Sequence, residues 1–201
     1  MIVYVESNFV LELAFLQEGH EDCDAILKLG ESGVIRLIVP AFSLIEPYET
    51  LVRRSRRRAE LSRRLSEESR ELSRSRSYSE ITEMAGEIAS ILISIGEEEK
   101  QRPDSTLLRI LDASEMIPIQ PNTLKRALGI QTELSLSPQD SIVFTSVIQH
   151  LELGNLDHKC FLNKDSKDFL NPDIEGRLDR HDCRLITSFA QGLQYINSAN
   201  N

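Results

Sequence analysis

Four carboxylates stand where they could act together: Glu6, Glu46, Asp140 and Asp165. Glu6 closes the apolar, β-branched run Ile2-Val3-Tyr4-Val5 and is followed by Ser7 and Asn8. Glu46 lies just beyond a second apolar run, residues 34–39. Asp140 is the third residue of a segment opened by Ser137-Pro138. Asp165 follows the run 159–162, within Asn163-Lys164-Asp165-Ser166-Lys167-Asp168-Phe169. Carboxylates that converge repel one another and take up protons unless a cation neutralises them. Oxygen-only donors select hard ions, so Mg²⁺ or Mn²⁺ is the natural occupant of such a cluster. An ion of that kind lowers the pKa of a bound water and stabilises charge on a phosphodiester under attack. Each acid also has a plainer reading. Glu6 could end a strand in solvent with Asn8 as a helix N-cap. Ser43…Glu46 and Ser137…Asp140 both have helix-capping spacing, and Asp165 or Asp168 could serve a turn.

The elements that would position these acids follow from the hydrophobic pattern. Residues 2–5 have the composition of a strand buried on both faces. A helix is expected from Phe9 to Leu16, a second from Glu21 to Leu29 with Gly30 as terminator, and a strand from Val34 to Val39 stopped by Pro40. Ser43 opens a helix with Glu46 in its first turn, where Pro47 is tolerated because first-turn N–H groups have no intrahelical partner. Strand, helix, helix, strand, helix is the alternation of an α/β domain with a parallel sheet. Residues 51–76 read as an Arg-, Ser- and Glu-rich helical arm that frays near Arg74. From Ser77 a helix capped by Glu80 carries Ile81, Met84, Ala85, Ile88, Ile91, Leu92 and Ile95 as a core-facing stripe, ending at Gly96. Another helix spans 104–111. Extended residues 116–120 lead through Pro121-Asn122-Thr123 to a helix ending at Leu128, and then to the helix of Asp140, whose buried face is Phe144, Val147, Ile148 and Leu151. Strands at 159–162 and 183–186 and a helix at 188–196 complete an α/β domain over residues 1–201, with residues 51–112 as a helical insertion between its halves.

Composition narrows the class. With 201 residues and 40% hydrophobic content the chain can bury a proper core. Trp is absent and aromatics are 5%, which argues against aromatic stacking as the main way of holding a single strand. Cys23, Cys160 and Cys183 have no metal-ligand spacing, and their apolar neighbours suggest buried, reduced thiols in a cytoplasmic protein. No basic region precedes the first apolar run, and no apolar segment is long enough to span a bilayer. The four histidines show no motif spacing and read as surface residues. Net charge is −9, yet residues 53–76 contain ten Arg against four Glu. An acidic body with one basic segment is a polarised molecule. Arg53, Arg56, Arg57, Arg63 and Arg64 can share a broad helix face, suited to phosphate because guanidinium pairs bidentately with its oxygens.

The order and settings of the four acids resemble the PIN-domain nucleases, including the toxin ribonucleases of toxin–antitoxin pairs. Glu6-Ser7-Asn8 stands where that family typically has Asp-Thr-Asn or Asp-Ser-Asn after its first strand. Ser43-Leu44-Ile45-Glu46 matches the family's Glu in the helix after strand two. Pro121-Asn122-Thr123 with Leu136-Ser137-Pro138-Gln139-Asp140 resembles the stretch carrying the third acid, and residues 163–169 resemble the phrase of the fourth. The resemblance covers about residues 1–50 and 115–197. It implies a three-layer PIN-like fold and a Mg²⁺- or Mn²⁺-dependent ribonuclease that hydrolyses phosphodiesters with a metal-activated water. Glu6, Asp140 and Asp165 would hold the metal, and Glu46 would complete its shell or orient the water. Ser7, Asn8 and Asn163 would support these ligands from behind, with Asp168 as a reserve ligand. RNA, an antitoxin-like protein and a second copy of the chain are the partners implied, and no membrane. Glu6 in place of Asp, one methylene longer, leaves open a catalytically silent PIN-like module that binds nucleic acid or a partner protein. A haloacid-dehalogenase-type phosphohydrolase is disfavoured because no Asp-x-Asp pair follows the first strand, and no P-loop is present.

Overall fold

The computed structural model describes residues 1–154, 158–164, 169 and 171–199. Five short strands, β1 (Ile2–Val5), β2 (Arg36–Pro40), β3 (Ser114–Ile117), β4 (Lys159–Leu162) and β5 (Cys183–Ile186), form one sheet in the order β3-β2-β1-β4-β5. Every pairing is parallel, with Ile2 opposite Arg36 on one side and Lys159 on the other. β1 is therefore central, and its C-terminal end points Glu6 at the edge where parallel sheets bind ligands.

The strands alternate between two cores, as a two-residue period requires. On one face Val3, Val5, Leu37, Val39 and Leu162 pack with Phe9, Leu13, Ile26 and Ile196. These come from α1 (Ser7–Phe15), α2 (His20–Glu31) and the last helix, α8 (Phe189–Ala199). On the other face Ile2, Tyr4, Ile38 and Phe161 pack with Phe144, Val147, Leu134 and Leu178. Their helices are α5 (Pro121–Leu134), α6 (Pro138–Leu151) and α7 (Pro172–Asp179). Helix, parallel sheet, helix is the three-layer α/β architecture. The buried face foreseen for α6 is buried in full, and Cys23, Cys160 and Cys183 are free and buried.

Two compact units divide the chain: Met1–Pro47 with Thr106–Asn201, and Tyr48–Ser105. The second is built from two long helices, α3 (Glu46–Leu72) and α4 (Ser79–Ala113), separated by a 3-10 turn, Arg76–Tyr78. Here the structure departs from the sequence reading. α4 does not stop at Gly96 but runs through it and through Pro103. A helical Gly costs only about 1 kcal/mol against Ala. The residues that follow are strong helix formers, braced by Lys100–Glu97 and Arg102–Glu98 pairs and tied to α3 by the Arg58–Glu99 ion pair. Nor is the α4 stripe core-facing. Of the seven residues, Ile81, Met84, Ile88, Ile91 and Ile95 are exposed and only Ala85 and Leu92 are half-buried, while Ala89, Gly96 and Glu99 are buried.

Smaller shifts have local causes. β2 begins at Arg36 rather than Val34 and includes Pro40, which pairs with Ile117 at the end of the strand, where a missing N–H costs little. A 3-10 turn, Ala41–Leu44, precedes α3, so Ser43 is not its first residue. α2 passes through Gly30, and α5 extends to Leu134. β3 starts two residues early, directly after α4. His150 is not a surface residue: its Nδ1 lies 2.9 Å from the Tyr4 hydroxyl, and its Nε2 lies 3.3 Å from Glu115 Oε1.

Candidate functional site

The site begins with one buried carboxylate. Glu6 follows the last residue of β1 and caps α1, its Oε2 accepting the Asn8 backbone N–H at 2.8 Å. Only 6% of the residue is exposed, and its other oxygen, Oε1, is buried with no hydrogen-bond partner among the described residues. An acceptor buried without a partner is costly, and a charged one more so. Burial accordingly pushes the Glu6 carboxyl up to about 8; the Asn8 N–H opposes the shift, and the negative fields of Glu46 and Asp140 add to it. Those fields tie the three acids into one electrostatic neighbourhood. The Ala41–Leu44 turn makes the same connection in the backbone, packing against both α1 and α6.

Glu46 is the first residue of α3 and half-buried. The capping alternative for it does not hold, because the Ser43 hydroxyl lies inside the 3-10 turn, buried and without a hydrogen-bond partner among the described residues. Asp140 is different. Ser137 is the N-cap of α6, its Oγ accepting the Asp140 N–H at 3.1 Å and donating to Asp140 Oδ2. Asp140 thus has the foreseen capping role and also acts electrostatically on Glu6. Ser7 is buried and Asn8 half-buried beside Glu6. Asn163, at the end of β4, is buried and donates its N–H to the Ile186 carbonyl at 3.1 Å. Asp165 and Asp168 lie outside the described residues.

A hard divalent ion suits what is present. The donors are oxygens only, two acids already raise the cost of ionising a third, and among the described residues Glu6 Oε1 has no hydrogen-bond partner. Among the described residues no three His, Cys, Asp or Glu side chains lie close enough to form a ready-made metal cluster. Glu6, Asp140 and Glu46 are the described residues that would hold an ion.

Sequence reasoning missed a second buried acid. Glu12, 1% exposed in α1, accepts from the Gly19 N–H at 2.8 Å and from Lys164 Nζ at 2.7 Å. Lys164 also reaches Glu18 at 2.9 Å. The pair pins the residue after Asn163 to the helix after Glu6, so it supports the ends of both β1 and β4. A lone acid in the otherwise apolar helix Phe9-Val10-Leu11-Glu12-Leu13-Ala14-Phe15 was the available signal. Glu12→Ala leaves Gly19 and Lys164 without their acceptor and is expected to cost about 2 kcal/mol, discounted because Lys164 is partly exposed. Urea unfolding measures this; a loss below about 0.5 kcal/mol would make the pair incidental.

In the helical unit, Arg53, Arg56, Arg57, Arg63 and Arg64 are all exposed. Their charge is not all available to a ligand. Arg63 pairs with Glu60 and Glu67, and Arg64 with Glu60, while Arg53 donates to the Thr50 hydroxyl. Arg58 is turned inward onto Glu99.

A parallel five-stranded sheet between helical layers, with acids gathered at the C-terminal end of its central strand, defines an α/β protein with a carboxylate-lined edge. The profile of the family described as PIN domain matches residues 3–169, and the chain belongs to that family. Its members are generally nucleases, and they generally use divalent metals. No curated protein matches the chain. Among solved structures, VapBC2 from Rickettsia felis bound to a DNA fragment from its promoter superposes with a TM-score of 0.42 at 13% identity, covering 92% of this chain and 98% of that chain. No helix among the described residues is long and apolar enough to cross a membrane.

Proposed function

We propose that this chain is a ribonuclease dependent on Mg²⁺ or Mn²⁺, hydrolysing phosphodiester bonds at the end of β1. The observation that carries the reading is the buried Oε1 of Glu6, without a hydrogen-bond partner among the described residues and under the fields of Glu46 and Asp140. When bound, a divalent ion supplies a water of lowered pKa and positive charge for the phosphodiester oxygens. Glu6 and Asp140 would hold that ion, with Asp165 as the third acid. Glu46 would complete the ion's shell or orient the attacking water. Ser7, Asn8 and Asn163 keep the acids in place, and Asp168 is a reserve ligand. An antitoxin-like protein is the partner that would hold such an activity in check. Cleavage of a labelled RNA pool, with Mg²⁺, Mn²⁺ or EDTA and with a DNA pool beside it, tests the reading. Equal cleavage in EDTA, or none with either metal, rejects it.

A second reading has one observation in its favour. A Glu6 carboxyl raised to about 8 is mostly protonated at neutral pH when no cation is near, and a neutral acid can simply cap α1. The chain would then be a silent PIN-like module that binds nucleic acid or protein. Retained RNA binding without metal-dependent cleavage would select this reading.

Either way, RNA is expected to bind the Arg face of α3. Replacing Arg53, Arg56, Arg57 and Arg63 with Gln should weaken RNA binding and flatten its salt dependence, by roughly 0.7 in log–log slope for each phosphate no longer neutralised. Because Arg63 is already shared with Glu60 and Glu67, most of the weakening should come from the other three positions. Fluorescence anisotropy at several salt concentrations reads both effects. An unchanged slope would send RNA elsewhere.

A further inference from the structure

One margin of the sheet carries a cleft that the acids at the end of β1 do not use. β5 is the last strand and pairs only with β4 among the described residues, so its outer edge keeps backbone N–H and C=O groups outside the ladder. Along that edge runs a cleft of about 580 Å³, with residues of α8 on one side and Glu175 of α7 on the other. Its size falls in the range of small-ligand sites, roughly 300–1,000 Å³. The walls follow from the alternation of the strand. Arg184 and Ile186 face α8, whereas Leu185 packs toward the core that holds α7. Arg184 lays its guanidinium over the Tyr195 ring, with Cζ 5.1 Å from the ring centroid. Around this stack stand Thr187, Gln191 and Gln194. One guanidinium, already given to a ring, and one carboxylate leave the cleft near neutral. It suits a flat, uncharged ring with hydrogen-bonding edges better than a phosphate, and its amide and hydroxyl lining is too polar for the apolar anchors of a peptide.

We propose that this cleft is a base-binding subsite that takes one unpaired nucleobase of the RNA. The inference deepens the proposed function and rests on its RNA substrate. Position supports it. Thr187 directly follows β5, and the carbonyl of its neighbour Ile186 accepts the Asn163 N–H at 3.1 Å. The cleft therefore reaches the same end of the sheet as Glu6, two strands away, about 10 Å at the usual strand spacing. A base held there belongs to a nucleotide near the bond to be cut. Stacking supplies the affinity. Arg184 is exposed, and a base can lie on the guanidinium face that Tyr195 does not cover, since guanidinium planes and aromatic rings both stack unpaired bases. Hydrogen bonds at the base edge supply the choice. The Glu175 carboxylate only accepts, so it favours a base that presents donors, and guanine offers its N1–H and N2–H side by side. Gln191 and Gln194 both give and take hydrogen bonds at the remaining edge. A single stack also agrees with a chain in which aromatics are 5%: it selects one base and does not hold a whole strand.

Fluorescence anisotropy of the full chain in EDTA, where metal-dependent cleavage is silent, reads the subsite directly. The probes are short oligouridylates with guanosine, adenosine or an abasic ribose at one central position. Wild type should bind the guanosine probe about tenfold more tightly than the abasic one, the ordinary gain from one stacked base, and more tightly than the adenosine probe. In Arg184→Ala/Tyr195→Leu the guanosine-to-abasic ratio should fall to about one, whereas Tyr195→Phe should behave as wild type. Glu175→Gln should keep the gain over the abasic probe and lose the preference for guanosine over adenosine. Should the double variant misfold, a photoreactive thioguanosine probe on wild type replaces it, and its crosslink should map to residues 184–198. The proposal fails if wild type binds the three probes equally or binds no RNA, as it would were the edge of β5 reserved for a protein strand. It also fails if the double variant keeps the preference, or if the crosslink maps elsewhere. Cleavage of the guanosine probe in Mn²⁺ is scored apart. Base-selective binding without cleavage removes the nuclease reading and leaves the subsite standing; cleavage without base-selective binding does the reverse.

Discussion

Asp140→Asn is expected to abolish metal-dependent cleavage, by roughly a thousandfold or more, without unfolding the protein. The cap of α6 survives the change. Ser137 Oγ still accepts the residue-140 backbone N–H, and the Asn side-chain oxygen can still accept the Ser137 hydroxyl. What disappears is one negative charge facing Glu6. Losing it weakens attraction for a divalent ion while making Glu6 easier to ionise. The variant should therefore show an unchanged urea midpoint, weaker Mn²⁺ binding and no product. A folded Asp140→Asn with full activity would leave Asp140 as a helix cap alone and remove it from the proposed chemistry.

How much of this was legible beforehand differs sharply between the two units. In the α/β unit, short apolar runs can only be buried strands when turn signals and helical patterns alternate with them. Residues 2–5, 159–162 and 183–186 were located to the residue. Their parallel pairing then brought Glu6 to the ligand-binding edge without any further information. Burial of Glu6 was not legible. It depends on how α1, the Ala41–Leu44 turn and α6 close over it, and these segments lie far apart in the chain. Asp140 shows a further limit, since its capping spacing and its acidic role turn out to be compatible rather than exclusive.

In the helical unit periodicity misled. The 3, 4, 7 pattern of Ile81 to Ile95 identifies an apolar face but not what covers it. The covered face is the small-residue one, because α3 approaches with serines and Arg58 rather than with large apolar side chains. Gly96 reads as a stop only while local propensity is considered alone. Glu12 and Lys164, separated by 152 residues, could be joined only by the adjacency of β1 and β4.

The second large effect is a dependence of stability on pH that a cation should reverse. The Glu6 carboxyl titrates at an ordinary 4.5 when unfolded and at about 8 in the folded chain. Below about pH 4.5 it is protonated in both states and costs nothing. Between the two values the unfolded chain releases the proton and the folded chain keeps it, so the unfolded state binds fewer protons and stability falls as pH rises. By about pH 8 the accumulated cost is on the order of 4 kcal/mol. Glu6→Gln cannot ionise, so in EDTA it should lose this slope and be the more stable protein at the alkaline end of the window. Mn²⁺ should invert the ranking. An ion bound by ionised Glu6 must displace the proton, so apparent affinity should rise up to roughly tenfold per pH unit until about pH 8. Wild type should then gain stability from Mn²⁺ most strongly at high pH, and Glu6→Gln should gain little. Urea midpoints for both proteins at about pH 5.5 and 8, with EDTA or Mn²⁺, contain the whole test. If the two proteins run parallel in EDTA, Glu6 is not the buried, proton-holding acid. If they run parallel in Mn²⁺, it holds no metal.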